Sequence, residues 1–335
     1  MKVIVIGAGV MGLTLATELD NRGVLVEIYE RGCSVGDKAC SWLAGGMLAP
    51  WCERENAPLA VQQYGKKSYQ WWRNYLQKEG DLYANGTLVI AQSRDRQELL
   101  RFSRRTENFE WLDGEALRDL EPDLADRFSR SLYFADEGHL NPRTSLQFLV
   151  ERLQKKGVAI HFNSMVDPKS FSQDIVVDCR GIKSKEDWNG IRGVRGEMLI
   201  IKTEEVTFQR PIRLLHPRFP LYLVPRKEGQ FMVGATMIES EKRHSVTVRS
   251  MLELLGSAYA IHPAFAEAEI VETGCDVRPA FPDNLPRIKQ EKNIWSINGL
   301  YRHGFLLAPI MAEKAANAIL DQNYKLEQLY EYSCK

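Results

Sequence analysis

The apolar positions change period several times along the chain, and each change marks an element. Residues 3–6 (VIVI) form an uninterrupted apolar run, the pattern of a strand covered on both faces. From residue 10 the apolar positions take helical spacing through Leu15 and Leu19 to Arg22, and Gly23 ends the pattern. Residues 24–30 (VLVEIYE) alternate as a strand does. A long helix is predicted over 57–79, with Val61, Tyr64, Ser68, Trp71, Trp72 and Tyr75 at helical spacing. We read that stripe as core-facing rather than as an aromatic cage for a cofactor. Asn141-Pro142 has the form of a cap followed by a first-turn proline, starting a helix that runs to about Lys156 before Gly157. Strands are expected at 158–162 and 174–178.

A different texture occupies the segments between. GTLVIAQ (86–92), RGEMLIIK (195–202), LYLVP (221–225) and QFMVGAT (230–236) alternate or run β-branched with short turns, which predicts an antiparallel sheet. Near the C-terminal end a strand is expected at 294–297. It is followed by a loop with Gly299 and Gly304 and by a helix beginning near Pro309, whose Ala312, Ala315 and Ala316 offer a small face for close packing.

Composition narrows the class. The 335 residues carry 44 Lys plus Arg against 44 Asp plus Glu, which leaves no global field to attract nucleic acid or an anionic membrane. No apolar run approaches the ~18 residues of a membrane span. The opening has no basic region beyond Lys2 and carries glycines at fixed offsets, so it reads as retained strand, turn and helix rather than a signal peptide. Cysteines 33, 40, 52, 179, 275 and 334 form no C-x-x-C pair and no zinc-type cluster, which points to reduced thiols in a cytoplasmic protein and to no metal site.

Gly7, Gly9 and Gly12 form G-x-G-x-x-G between a predicted strand and a helix, and Glu30 ends the next strand. In that context the first glycine permits the turn and the second admits a pyrophosphate. The third lets helix and strand pack closely, and the carboxylate takes a ribose hydroxyl. The motif predicts a dinucleotide without separating NAD from FAD. A second helix N-terminus preceded by glycines, near the chain's end, would suit the charge of a reduced flavin ring.

Four stretches together resemble the glycine oxidase and D-amino-acid oxidase family of FAD-dependent amine oxidases, and within it the glycine oxidases of thiamin biosynthesis. They are VIGAGVMGLTLATEL with Glu30, SWLAGGMLAP, LYLVPRKEGQFMVGAT, and the pair GCDVRPAFPDNLPRI and GLYRHGFLLAP. The resemblance implies an α/β, Rossmann-like FAD-binding domain (1–84, 140–193 and 271–335). It is interleaved with an antiparallel-sheet substrate domain (85–139 and 194–270). It implies non-covalent FAD contacted by Gly7, Gly9, Val10, Met11, Gly12, Glu30, Arg31, Ala44, Gly45, Gly46, Met47, Gly299, His303, Gly304, Phe305 and Leu306. Cys275 is near the point where related sarcosine oxidases attach flavin, but it stands one position off and lacks the surrounding pattern.

For the substrate, the resemblance implies that Arg278 holds the carboxylate, with Tyr222 and Arg302 beside it as the other catalytic residues and Met47 and Met237 lining the pocket. A guanidinium fork suits a carboxylate. Outside the motif, an arginine before proline reads as an ion-pair residue and a strand tyrosine as sheet packing. The implied reaction is hydride transfer from glycine or a small amine to flavin N5, giving an imine and, with O2, H2O2. No side chain in the motifs has to serve as base. The terminal motif departs from the family pattern at Leu300, where a histidine is usual, and at His303, where an asparagine is common. A D-amino-acid or sarcosine oxidase and a quinone-linked dehydrogenase share the same anchor and stay open. An NAD-linked dehydrogenase is disfavoured by the interleaved strands, and a non-catalytic flavin protein by the joint presence of Arg278, Tyr222 and Arg302. The expected partners are a small amino acid or amine, O2 and, for a family member of this size, further copies of the chain.

Overall fold

The computed structural model describes residues 1–76, 81–217, 220–321 and 323–326. Cys334 and residues 77–79 of the expected helix 57–79 lie outside the described residues. The apolar run at the start forms the strand Lys2–Ile6 within a six-stranded sheet. Its order is Arg287–Glu291, Ile294–Asn298, Ile175–Asp178, Lys2–Ile6, Leu25–Tyr29, Ala159–His161. All neighbours are parallel except the first two strands, which run antiparallel. Val3, Ile4 and Val5 are fully buried, as an inner strand of a parallel sheet requires.

The helix Val10–Asn21 packs against Pro142–Lys155 and Gly304–Leu320, and Leu59–Leu76 lies against that last helix. Asn141 caps its helix, the side chain accepting from Arg143 N at 3.0 Å. Ala312, Ala315 and Ala316 are fully buried. The aromatic stripe is core: Val61, Ser68 and Trp72 are buried, with Tyr64, Trp71 and Tyr75 at its margin.

The C-terminal helix starts at Gly304, five residues before the expected position, with Pro309 inside it. A proline within a helix leaves the carbonyl four residues earlier without its donor. That carbonyl, Phe305 O, accepts instead from Trp72 Nε1 at 2.8 Å. Tertiary packing thus supplies what the backbone lacks, and the helix N-terminus moves back to the glycine loop.

The remaining strands build a nine-stranded sheet in the order Ile238–Glu239, Arg192–Lys202, Gln230–Gly234, Leu221–Pro225, Ile212–Leu215, Thr87–Ala91, Arg130–Phe134, Glu110–Asp113. Glu269–Ala280 pairs along the other edge of Arg192–Lys202. Every pair is antiparallel except Ile212–Leu215 with Thr87–Ala91. The helix Val248–Ile261, capped by Thr247, covers the sheet through Leu254, Ala258 and Ile261. A three-stranded sheet of Met47–Leu48, Gly138–Leu140 and Leu82–Tyr83 carries Met47 towards the cleft described below. Among the described residues no helix is long and apolar enough to cross a membrane, and no group of three His, Cys, Asp or Glu side chains could hold a metal ion.

Candidate active site

A cleft of about 430 Å³ runs from the carboxyl ends of the parallel strands to the edge of the antiparallel sheet. One end is built from main chain. Gly7 has φ +107°, and a Cβ on Gly12 would lie 1.8 Å from Gly7 O, so strand and helix meet at a distance only glycine permits. Gly12 therefore serves packing and does not line the cleft, whereas Gly7, Gly9, Val10 and Met11 do. Glu30 closes this end, accepting from Ala8 N and Gly32 N, both at 2.7 Å, while Val10 N donates to Ser41 Oγ at 3.3 Å. Each Glu30 oxygen keeps a second lone pair for a ligand hydroxyl. Arg31 lines the cleft and donates to Lys38 O at 3.2 Å.

Along the middle lie Ala44, Gly45, Gly46 and Met47 on one side, and His303, Gly304, Phe305 and Leu306, where the C-terminal helix begins, on the other. Gly299 is set back: its φ is +80°, it does not line the cleft, and it packs beneath Phe281. Gly45 O accepts from Arg226 Nη2 at 2.7 Å; burial, with Arg143 nearby, lowers that guanidinium to about 9. Cys40 and Cys179 also line the cleft, but burial pushes Cys40 up to about 12 and Cys179 well above the usual thiol range, so neither is a ready nucleophile. Cys275 does not line it. Strand alternation puts it on the face opposite Asp276 and Arg278, beside the buried Arg195–Glu197 pair.

The other end is built from side chains. Arg278 projects from Glu269–Ala280 across the neighbouring strand at Gly196, where a Cβ would stand 2.1 Å from Arg278 Nη2. Its Nη1 donates to Thr236 O at 3.1 Å, and no carboxylate among the described residues forms an ion pair with it. The Tyr222 ring lies against Gly45, 3.0 Å from where a Cβ would be. Arg302 Nη2 donates to Glu53 Oε2 at 2.6 Å, and its Nη1 approaches Met237 Sδ at 3.7 Å. The His303 ring turns to the same carboxylate, Nε2 lying 2.8 Å from Glu53 Oε2. Leu300, Tyr222, Arg278, Arg302, Met47 and Met237 all face the cleft.

Glu53 and Arg213 were not foreseen. Arg213 reaches Glu53 Oε1 at 3.5 Å and Glu55 Oε2 at 2.9 Å. Burial alone would raise the Glu53 carboxyl; Arg302, His303 and Arg213 outweigh it and hold the group well below the usual carboxylate range. Glu53 in turn raises the Arg302 guanidinium. The only local signal for Glu53 is its place just after the small-residue loop.

Residues 2–318 match the family described as FAD dependent oxidoreductase, DAO. The chain belongs to this family. It is 51% identical over 328 residues to a protein named as a thiamine biosynthesis oxidoreductase, ThiO, of Rhizobium etli, covering 98% of this chain and 99% of that one. It is 28% identical to the bifunctional protein ThiO/ThiG of a Synechocystis species; 96% of this chain is matched, and it spans 52% of that longer protein. The crystal structure of glycine oxidase from Geobacillus kaustophilus superposes with a TM-score of 0.79 at 20% identity, over 99% of this chain and 96% of that one, which shows a common fold. As a DAO-family protein the chain is an FAD-dependent oxidoreductase, and its main-chain end has the cradle, helix N-terminus and acidic strand end that fit an FAD.

Proposed function

We propose that the protein is a glycine oxidase serving thiamine biosynthesis, oxidising glycine with O2 and water to glyoxylate, ammonia and H2O2. The observation that carries the reading is the Arg278 guanidinium: it faces the cleft, forms no ion pair among the described residues, and stands in a chain 51% identical to a ThiO protein. The FAD would be held at its pyrophosphate by Gly9, Val10 and Met11 and at its ribose by Glu30, with Arg31 nearby. Ala44, Gly45, Gly46 and Met47, and His303, Gly304, Phe305 and Leu306, would flank the ring. No thiol is assigned to bind it, because Cys275 is off the cleft.

When bound, FAD supplies acceptance of a hydride from the substrate α-carbon and its passage to O2. The chain's own residues bind and orient. Arg278 takes the glycine carboxylate through paired N–H groups, and the Tyr222 hydroxyl adds a hydrogen bond. Met47 and Met237 line the space around the α-carbon. Arg302, paired to Glu53, shapes the same end of the cleft as Arg278. With the carboxylate fixed, the amine loses its proton to solvent before the hydride leaves, and no side chain has to act as base.

The visible spectrum under anaerobic conditions tests the reading. Glycine should bleach the flavin bands and air should restore them with H2O2. Bleaching by D-alanine or sarcosine but not glycine would keep the chemistry and change the substrate, restoration by a quinone but not air would make it a dehydrogenase, and a flavin no amine bleaches would overturn the reading. The same reading carries a cytoplasmic, self-associating enzyme with FAD-binding segments 1–84, 140–193 and 271–335 and substrate segments 85–139 and 194–270. The free thiols favour the cytoplasm; the six-stranded sheet draws its strands from the FAD-binding segments, whereas Glu269–Ala280, with Arg278, joins the nine-stranded sheet and carries the substrate side past residue 270.

A further inference from the structure

The charged groups at the substrate end are unequally engaged. Among the described residues Arg278 donates to the Thr236 carbonyl and forms no ion pair, whereas Arg302 is closed onto Glu53, which is also held by His303 and Arg213. Both guanidinium groups line the same cleft and contact successive residues: Arg278 donates to Thr236 O, and Arg302 reaches the Met237 sulfur. Arg213 is shared with Glu55, so two guanidinium cations, Arg302 and Arg213, face two carboxylates, Glu53 and Glu55.

We propose that Glu53 is a specificity-determining residue that restricts the cleft to substrates with one carboxylate, because it occupies Arg302 and thereby withholds a second anion site. This rests on the reading of the cleft as an amino-acid oxidase site. An amine bearing two carboxylates could place one on Arg278, but its second would meet the Glu53 carboxylate and a guanidinium already engaged. The Glu53 side chain is 18% exposed, so the repulsion is only partly screened by water. Specificity then comes from an unfavourable contact with the wrong ligand as well as a favourable one with the right ligand. Removing the Glu53 charge releases Arg302 and turns the pocket into a two-anion receptor.

Acetate and malonate titrated calorimetrically into the FAD-loaded protein test this without turnover, and kcat/KM for glycine and iminodiacetate tests it in turnover. The wild type should bind malonate no more tightly than acetate. Glu53→Gln should shift both the malonate-to-acetate affinity ratio and the iminodiacetate-to-glycine kcat/KM ratio by about tenfold towards the dicarboxylate. Both gains should vanish in Glu53→Gln/Arg302→Met. Unchanged ratios in a folded, FAD-loaded Glu53→Gln protein would overturn the proposal. Malonate binding to the wild type about tenfold tighter than acetate would overturn it too, whether or not the variant folds. The oxidase reading fails separately: if no amine bleaches the wild-type flavin, the carboxylate titrations still decide the role of Glu53.

Discussion

The two ends of the cleft are made of different materials. The end near Gly7 and Glu30 is main chain, fixed by residues within one strand–helix–strand unit, and its tolerances are those of atoms in van der Waals contact. The end near Arg278 is side chain, assembled from segments as far apart as Glu53 and Arg302, which lie 249 residues apart. Backbone contacts fail all at once when a single atom is added. Long charged side chains yield by degrees, because a guanidinium can move while the fold holds. Substitutions at the two ends should therefore differ in kind as well as size.

The largest effect is expected at the first end. Gly12→Ala places a carbon 1.8 Å from Gly7 O, a main-chain atom that cannot retreat without opening the sheet. The purified protein should contain no flavin, read from its absorbance; a yellow Gly12→Ala protein would break the contrast. Gly196→Ala is the matching test at the other end, since its Cβ meets the mobile tip of Arg278 at 2.1 Å. Flavin content and melting temperature should hold, while the KM for glycine rises by about tenfold, the cost of a displaced charge-assisted bond.

The smallest effect is expected at Glu137, which holds the segment before Glu53 through Cys52 N. Glu137 is fully buried and accepts from Cys52 N at 2.7 Å, and burial pushes its carboxyl up to about 7. A folded pKa above the unfolded value means that its stabilising contribution is complete below the usual carboxyl range, near 4.5, and is lost as pH rises through about 7. Glu137 thus lowers the wild-type melting temperature between those limits, against His139, which burial lowers to about 3 and which acts in the opposite direction, and Glu137→Gln should remove the Glu137 part of the slope. Glu121, also raised to about 7 by burial, leaves the remainder. Parallel curves for the two proteins would show that Glu137 does not titrate there.

The same contrast explains what could be read from the sequence. The glycine motif, Glu30 and the alternating strands are local patterns, and local sterics fix them, so the parallel sheet and its cradle were legible. The start of the last helix was not, because a proline rule that holds for isolated helices is overridden by Trp72, 233 residues away from the carbonyl it satisfies. Tyr222, Arg278 and Arg302 were reachable only through a family resemblance, since nothing local distinguishes a strand tyrosine or an arginine before proline. Glu53 and Arg213 escaped because their meaning lies in partners brought by other elements. Gly12 and Gly299, read as cofactor contacts, sit behind the cleft wall and shape it from there.

In the proposed function, Arg278 anchors the substrate carboxylate independently of the cofactor end. FAD-loaded wild type and Arg278→Met should be mixed anaerobically with glycine and the flavin bands followed. Equal flavin content in the two proteins, with at least about 100-fold more glycine needed to bleach the variant, is the expected result for losing the hydrogen-bonded charge partner of the carboxylate. Bleaching of both proteins at glycine concentrations within a few-fold of each other would contradict the account.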